Sequence, residues 1–411
     1  MRFGLERMRR MMTALGSPEQ RLAAIHVLGT NGKTSTTRMI AAILERHDLR
    51  TAAYLSPHLV SYTERLQLSE RDIDPDDFAR AVAQASAAAE RVNRTLAEDD
   101  HVTQFELLTA AALWEMAERQ VDVAVVEAGL GGRYDATSVI RAGVTVLTSV
   151  GLEHTRWLGP TLTDIAEEKL AVLAPGATLV LGPGLPQEAL AVAGRLARER
   201  GARVLEPEPD ERMPALLARG VFQQRNFAVA RAAAEAHLQE RAVALQERAV
   251  IAAAASTEVP GRLQTLAGSP PTLLDSAHNP AAVAALVESL PGVLPAGPLA
   301  LVMGVLDDKD AASMLRMLLP LCERAWFTAP PSGRALPPAA LQSLARQLGY
   351  EDIFCEPRPQ RALAAAREWA GANGAAVLAT GSVYLIGDLL AAGDLSGKLS
   401  ASQPQRNQQS R

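Results

Sequence analysis

The apolar residues of this chain fall into short uninterrupted runs, separated by longer stretches where they recur every three or four positions. The first run, Ala23–Leu28, reads as a buried strand, and GTNGKTST follows it. Met39, Ile40, Ile43 and Leu44 then share one face of an amphipathic helix. Val121–Val126, Val144–Val150 and Thr178–Leu181 read as further strands, and alanine-rich helical stretches lie near 76–90, 105–119 and 185–200. Strands alternating with helices predict a parallel, doubly wound α/β sheet of the P-loop type.

Residues 205–258 read as helical until Pro260 and Gly261 interrupt, and a second alternating set follows: PTLLDSAHNP, LALVMG, RAWFTAP, DIFCEP and AAVLATGS. The expected organisation is a large domain over 1–258, a linker over 259–264 and a smaller Rossmann-like α/β domain over 265–394. A tail over 395–411 is too poor in apolar residues to pack and is expected to be disordered. No internal repeat is apparent.

Bulk composition narrows the function classes. The 411 residues carry a net charge of −5 with acids and bases interspersed, which gives no electrostatic basis for binding nucleic acid or an anionic membrane. No stretch approaches the roughly 18 apolar residues of a membrane span, and the charged N-terminus lacks a signal-peptide core. Cys322 and Cys355 have no metal-site spacing. A cytoplasmic protein is expected. Lysine is rare, at positions 33, 169, 309 and 398 only, while arginine is abundant. A lysine that survives such a bias is a candidate for chemistry that a guanidinium cannot perform, although drift accounts for Lys398 in the polar tail.

Gly29, Thr30, Asn31, Gly32, Lys33, Thr34 and Ser35 sit between a strand and a helix, the context of a phosphate-binding loop. Glycines let backbone N–H groups approach phosphate oxygens, and the helix N-terminus adds partial positive charge. Lys33 would reach the terminal phosphates, and the Thr34 or Ser35 hydroxyl could meet a magnesium ion. The eight-residue version of this loop needs glycine where Val27 stands, so this is a shortened variant. The plain alternative is a tight strand–helix turn.

Glu127 follows directly on a predicted strand and precedes AGLGGRYDAT. Ligands gather at the carboxyl ends of parallel strands, where a carboxylate suits a hard cation. A solvated loop acid is the commoner fate of one glutamate, but Gly129, Gly131 and Gly132 suggest close backbone approach to a ligand. His154 follows the next strand. Imidazole is an unusual magnesium ligand, so residue chemistry alone favours a structural or general-base role. Lys169 ends that segment, where a lone lysine is ordinarily a surface residue. Asp275 and His278, in DSAHNP, suit either nucleotide contacts or a simple turn ahead of a helix. His26, His47, His101 and His237 show no partner in the sequence.

Taken together these segments resemble the folylpolyglutamate synthase/dihydrofolate synthase family, within the Mur-ligase group. The resemblance runs from Gly4 to about Leu390. It rests on IHVLGTNGKTS (25–35), SPHLVSYTERLQL (56–68), TQFE (103–106), VVEAGLGGRYDATSV (125–139), GLEHTRWLGPTLTDIAEEK (151–169), PGRLQ (260–264), DSAHNP (275–280) and GVLDDKD (304–310). It implies an ATP-dependent ligase that adds L-glutamate to a folate through an acyl phosphate, with dihydropteroate as a second candidate acid. It implies Lys33 as the phosphate lysine and Ser56, Glu127 and His154 as magnesium ligands. Lys169, once carbamylated, becomes a ligand of a second ion. Asn226, Arg262, Asp275 and His278 match ATP contacts, and Arg65, Thr103, Phe105, Tyr134 and Asp135 match substrate contacts.

Two departures stand out: Thr34 replaces the family's usual glycine, and EKAGI reads Glu168-Lys169-Leu170-Ala171-Val172. Thr34 favours the peptidoglycan-precursor ligases as a rival, but those carry a nucleotide-sugar domain ahead of the loop, and Gly29 stands too near the N-terminus for one. A nucleotide-binding regulator without ligase activity would explain the loop but not the other motifs. Small-molecule substrates and a monomer are expected.

Overall fold

The computed structural model describes residues 4–209 and 213–401, and the chain divides into two compact units between Val259 and Pro260.

Among the described residues, the first unit holds strands β1 (Ala24–Leu28), β2 (Thr51–Tyr54), β3 (Leu66–Leu68), β4 (Arg71–Asp72), β5 (Val123–Glu127), β6 (Ala142–Leu147), β7 (Thr178–Leu181) and β8 (Arg203–Leu205). They form one sheet in the order β4-β3-β2-β5-β1-β6-β7-β8. From β2 to β8 every pairing is parallel, while β3 and β4 add an antiparallel edge. The central strands are buried on both faces, so they read as continuous apolar runs. Alternate residues still face different layers. Ile25, Val27, Val125, Val144 and Val146 pack with Met39, Ile40, Ile43 and Leu44 of helix Lys33–Glu45 and with helix Val221–Glu240. Ala24, Ala124 and Val126 face Met8, Met11 and Met12 of helix Glu6–Ala14 and helices Pro75–Asn93 and Gln104–Glu118. Burying a side chain such as Ile25 or Met11 contributes about 1.5–3 kcal/mol, which fixes the sheet between its helical layers.

In the second unit β9 (Gln264–Leu266), β10 (Thr272–Leu274), β11 (Leu299–Met303), β12 (Arg324–Phe327), β13 (Ile353–Cys355) and β14 (Ala376–Thr380) take the order β13-β12-β11-β14-β10-β9. Only β9 is antiparallel. No helix among the described residues is long and apolar enough to cross a membrane.

Several sequence expectations need correction. The strand expected over Val144–Val150 starts earlier and stops at Leu147, because Thr148 and Ser149 turn their polar groups onto the loop after β1. Residues 205–258 are not one helical stretch. Between β8 and helix Val221–Glu240 the described residues are irregular, and helix Glu247–Ser256 follows a separate turn. Of segment 259–264, Val259 packs in the first unit's core, while Leu263 N–H donates to Asp275 and Gly261 N–H to Gln264 within the second. The last helix, Val383–Ala401, runs over the first part of the tail expected at 395–411, and residues 402–411 lie outside the described residues.

Candidate active site

After β1 the chain turns through Gly29 (φ 150°) and Gly32 (φ 85°) into helix Lys33–Glu45. Both glycines are required by space as well as by backbone angle. A Cβ on Gly29 would lie 1.9 Å from Thr148 Oγ1, and one on Gly32 2.6 Å from Asn226 Oδ1. The loop is stapled to the end of β6. Thr148 Oγ1 donates to Asn31 O (2.6 Å), Asn31 N–H to Ser149 Oγ (2.8 Å), and Thr30 N–H to Ser149 O (2.9 Å). Gly151 N–H closes the array on Thr30 Oγ1 at 3.0 Å. No side chain caps the helix at Gly32, so its first N–H groups and dipole face the loop. Ser35 is buried in the first helical turn, and Asn226 is oriented by its Nδ2 donating to Gln223 at 2.9 Å.

Two lysines converge on this loop. Lys33 Nζ donates to Gly29 O and Thr30 O, each at 3.1 Å. Lys169 Nζ donates to the same Gly29 O at 2.9 Å and is buried. Burial, and then the positive charge of Lys33, lower the Lys169 pKa to about 7, opposed by Glu153 and Asp135. A fraction of its amine is therefore neutral near pH 7, the form that reacts with carbon dioxide.

Glu127 ends β5 and is almost fully buried. Thr34 Oγ1 donates to Glu127 Oε1 and Oε2 at 2.9 and 3.0 Å, and Ser56 N–H donates to Oε2 at 3.1 Å. A carboxylate beside two hydroxyl-bearing residues, one of them next in the chain to the loop lysine, is an oxygen-rich donor set that fits a hard cation such as magnesium. His154 sits in the loop after β6 in a left-handed conformation (φ 54°) and opens the short helix Thr155–Leu158. Among the described residues no three His, Cys, Asp or Glu side chains cluster as a metal site, so a cation here depends on hydroxyl ligands as well.

The residues expected on the substrate side have structural duties of their own. Thr103 caps helix Gln104–Glu118 reciprocally with Glu106, and Arg7 holds Glu106 at 3.1 Å. Phe105 packs where a Cβ on Gly129 would lie 2.5 Å from its ring. Asp135 is buried, which pushes its pKa up, and it accepts from Leu130 N–H (2.7 Å) and from the Thr137 amide (3.0 Å) and hydroxyl (2.5 Å). Tyr134 is half exposed and lines a cavity of about 170 Å³ with Leu130, Trp157, Leu158 and Glu168. Arg65 Nε donates to His58 Nδ1 at 2.9 Å.

In the second unit Asp275 is buried after β10, with burial raising its pKa against the opposing charge of Arg262. Its two oxygens accept from Leu263 N–H (2.9 Å) and Ala277 N–H (2.8 Å). His278 Nδ1 lies 2.9 Å from Ser276 O, and Arg262 donates to Gly261 O at 3.0 Å. Asp275 thus shapes the DSAHNP turn, and Asn279 caps the following helix.

Sequence reasoning missed Thr148, Ser149 and His58. The first two were visible as a polar pair at the end of an apolar run, and His58 as an imidazole inside SPHL. His26 and His47 do have partners: His26 Nε2 lies 2.8 Å from Thr137 Oγ1, and His47 bridges Ile43 O and Gln246 N–H.

Residues 27–178 match the Mur ligase middle domain, and residues 261–383 the Mur ligase glutamate ligase domain. Folylpolyglutamate synthase of Lacticaseibacillus casei is 34% identical over 362 residues, covering 82% of this chain and 84% of that protein. Dihydrofolate synthase/folylpolyglutamate synthase of Bacillus subtilis is 30% identical over 94% of each. Mycobacterium tuberculosis folylpolyglutamate synthase complexed with ADP superposes with a TM-score of 0.89, at 29% identity, over 98% of this chain and 96% of that one. An Escherichia coli FolC complex with DHPP and ADP superposes at 0.84, with 29% identity, over 97% and 94%.

Proposed function

The chain belongs to the folylpolyglutamate synthase/dihydrofolate synthase family of Mur-type ligases, and from that premise we propose how its residues carry out the reaction. The protein is an ATP-dependent ligase that joins L-glutamate to a folate carboxyl, with dihydropteroate as a second acid substrate to be tested. The observation that carries the assignment of roles is the meeting of Thr34 and Ser56 on Glu127, with Lys33, next to Thr34, held on the carbonyls of the loop after β1.

A carboxylate is inert toward an amine. A substrate carboxylate oxygen therefore first attacks the γ-phosphorus of ATP, and ADP leaves with the bond electrons. The glutamate amine then attacks the acyl phosphate carbon, and inorganic phosphate leaves as the amide forms. Catalysis of the first step is mainly positioning and charge stabilisation. Lys33 exchanges its two carbonyl partners for phosphate oxygens, while N–H groups of the Gly29–Gly32 turn and the helix N-terminus cradle the phosphates. Magnesium would be held by Ser56, Glu127 and His154, with the Thr34 hydroxyl beside Glu127; when bound it supplies positive charge against the phosphate oxygens. Lys169, its amine made available by burial, would be carbamylated and turn a cation into an oxygen ligand. Asn226 in the first unit, and Arg262, Asp275 and His278 in the second, are assigned to nucleotide contact. Thr103, Phe105, Tyr134 and Asp135 are assigned to the pterin side, Thr103 and Asp135 by shaping the loops that form it. The enzyme is expected to act as a cytoplasmic monomer.

The test is ADP release from purified protein with ATP, glutamate and either tetrahydrofolate or dihydropteroate. The reading requires release that depends on both acid and amine. Release without either would instead mark a nucleotide switch.

A further inference from the structure

Leu55 N–H donates to Arg65 O at 2.9 Å, so the ends of the loop between β2 and β3 are tied together beside Ser56. Inside that loop Glu64 accepts from the N–H groups of Leu59 (2.7 Å), Val60 (2.8 Å) and Ser61 (2.6 Å), which fixes its shape. Arg65 Nε donates to His58 Nδ1 at 2.9 Å. A guanidinium has no acceptor, so His58 must receive this bond on an unprotonated Nδ1 and carry its proton on Nε2. His58 also stacks on Tyr62 with ring centroids 4.2 Å apart, and the Arg65 guanidinium lies 5.7 Å over the same ring. Gln104 Nε2 donates to the Tyr62 hydroxyl at 3.0 Å, tying the group to the adjacent helix.

The result is a tied pair of donors, the Nε2–H of His58 and the terminal N–H groups of Arg65, which also reach the buried Tyr54 hydroxyl. The Arg65 Nε bond goes to a neutral ring nitrogen, so the guanidinium keeps its full charge and, beyond the bonds to His58 and Tyr54, further N–H groups for a carboxylate. The pair lies on the loop whose first residue, Ser56, touches Glu127, to one side of the phosphate loop. A glutamylated acid bears two carboxylates a short methylene spacer apart: one reacts and the other must be held. We propose that His58 and Arg65 form a two-donor clamp for the non-reacting α-carboxylate of an acid substrate that already carries a glutamyl residue. This rests on the ligase reading above and extends it to substrate choice. Dihydropteroate has a single carboxylate, which is the reacting one, so the clamp serves the folate reaction alone.

The experiment measures equilibrium binding and steady-state kinetics of tetrahydrofolate and dihydropteroate for wild type, Arg65→Lys, Arg65→Gln and His58→Phe. His58→Phe keeps the ring stacked on Tyr62 and removes the donor. For tetrahydrofolate, Arg65→Gln and His58→Phe are expected to raise Kd and KM roughly ten- to hundredfold with kcat little changed. Arg65→Lys should fall between them and wild type, and dihydropteroate binding should shift less than about twofold in each variant. Unchanged ADP affinity and Tm keep the result interpretable as a local effect. Equal losses for both acids, or none for either, overturn the clamp. Absence of acid- and glutamate-dependent ADP release in the wild type overturns the ligase reading instead.

Discussion

The Thr34 hydroxyl donates to both carboxylate oxygens of Glu127, at 2.9 and 3.0 Å. This couples the first turn of the helix after the phosphate loop to the end of the neighbouring strand, at a position where the family usually carries glycine. Thr34→Ala or Thr34→Gly should lower kcat about tenfold, while Thr34→Ser stays near wild type, because one charge-assisted hydrogen bond is at stake. Glu127→Ala should lower it by roughly 10²–10³-fold through loss of the buried anion itself. Glutamate-dependent ADP release measures both, and full activity in Glu127→Ala would exclude the proposed site.

Lys33→Ala removes the amine now parked on Gly29 O and Thr30 O. A loss of kcat on the order of 10²-fold or more is expected, with the fold intact by circular dichroism. Lys33→Arg should not rescue it, since a flat guanidinium does not reproduce a compact ammonium.

Carbamylation of Lys169 needs the neutral amine that its pKa of about 7 provides. Activity should drop in buffer stripped of carbon dioxide and return on adding bicarbonate, and intact-mass measurement under mild conditions should show the adduct. Lys169→Arg is expected to be inactive. Normal activity in that variant would remove the carbamate from the mechanism.

A Cβ on Gly132 would lie 2.3 Å from Lys169 O and 2.6 Å from Glu168 O, both backbone atoms that cannot swing aside. Gly132→Ala should therefore destabilise the first unit by about 1–3 kcal/mol, read as a lower Tm. It should also shift Lys169 and weaken activity beyond the stability loss.

His26 is fully buried against Thr137, and burial lowers its pKa from 6.5 to about 4. Between those values the unfolded chain binds a proton that the folded ring refuses, so stability must fall as pH drops from about 6.5 towards 4. The loss is on the order of 3 kcal/mol at the low end. His26→Gln should flatten that part of the stability–pH curve in urea titrations, and an unchanged slope would assign the acid sensitivity elsewhere.

The central parallel strands were readable because burial on both faces makes them continuous apolar runs, as in Val123–Glu127. β3, β4 and β8 were not, since each is only two or three residues long, β4 is also exposed and β8 partly so, and tertiary pairing rather than pattern makes them strands. At the site, Lys33, Thr34 and Glu127 were legible from strand-end position and loop chemistry. The stapling of the loop by Thr148 and Ser149 was hidden, because these residues lie over a hundred positions from Asn31 and only the sheet order brings them together. The tight packing of Asp135 and Thr103 was equally hidden, since a polar side chain reads alike whether it faces a ligand or its own backbone.

A carbonyl oxygen has two lone pairs, and at Gly29 each is taken by a different lysine. That atom is a relay between residues far apart in the chain. Whenever one ammonium departs, by reaching for an anion or by losing its charge, the electron density it shared falls to the other, and the grip on the remaining partner tightens. Were Lys33 to turn to a nucleotide, or Lys169 to be carbamylated, the change would fall first on this one oxygen.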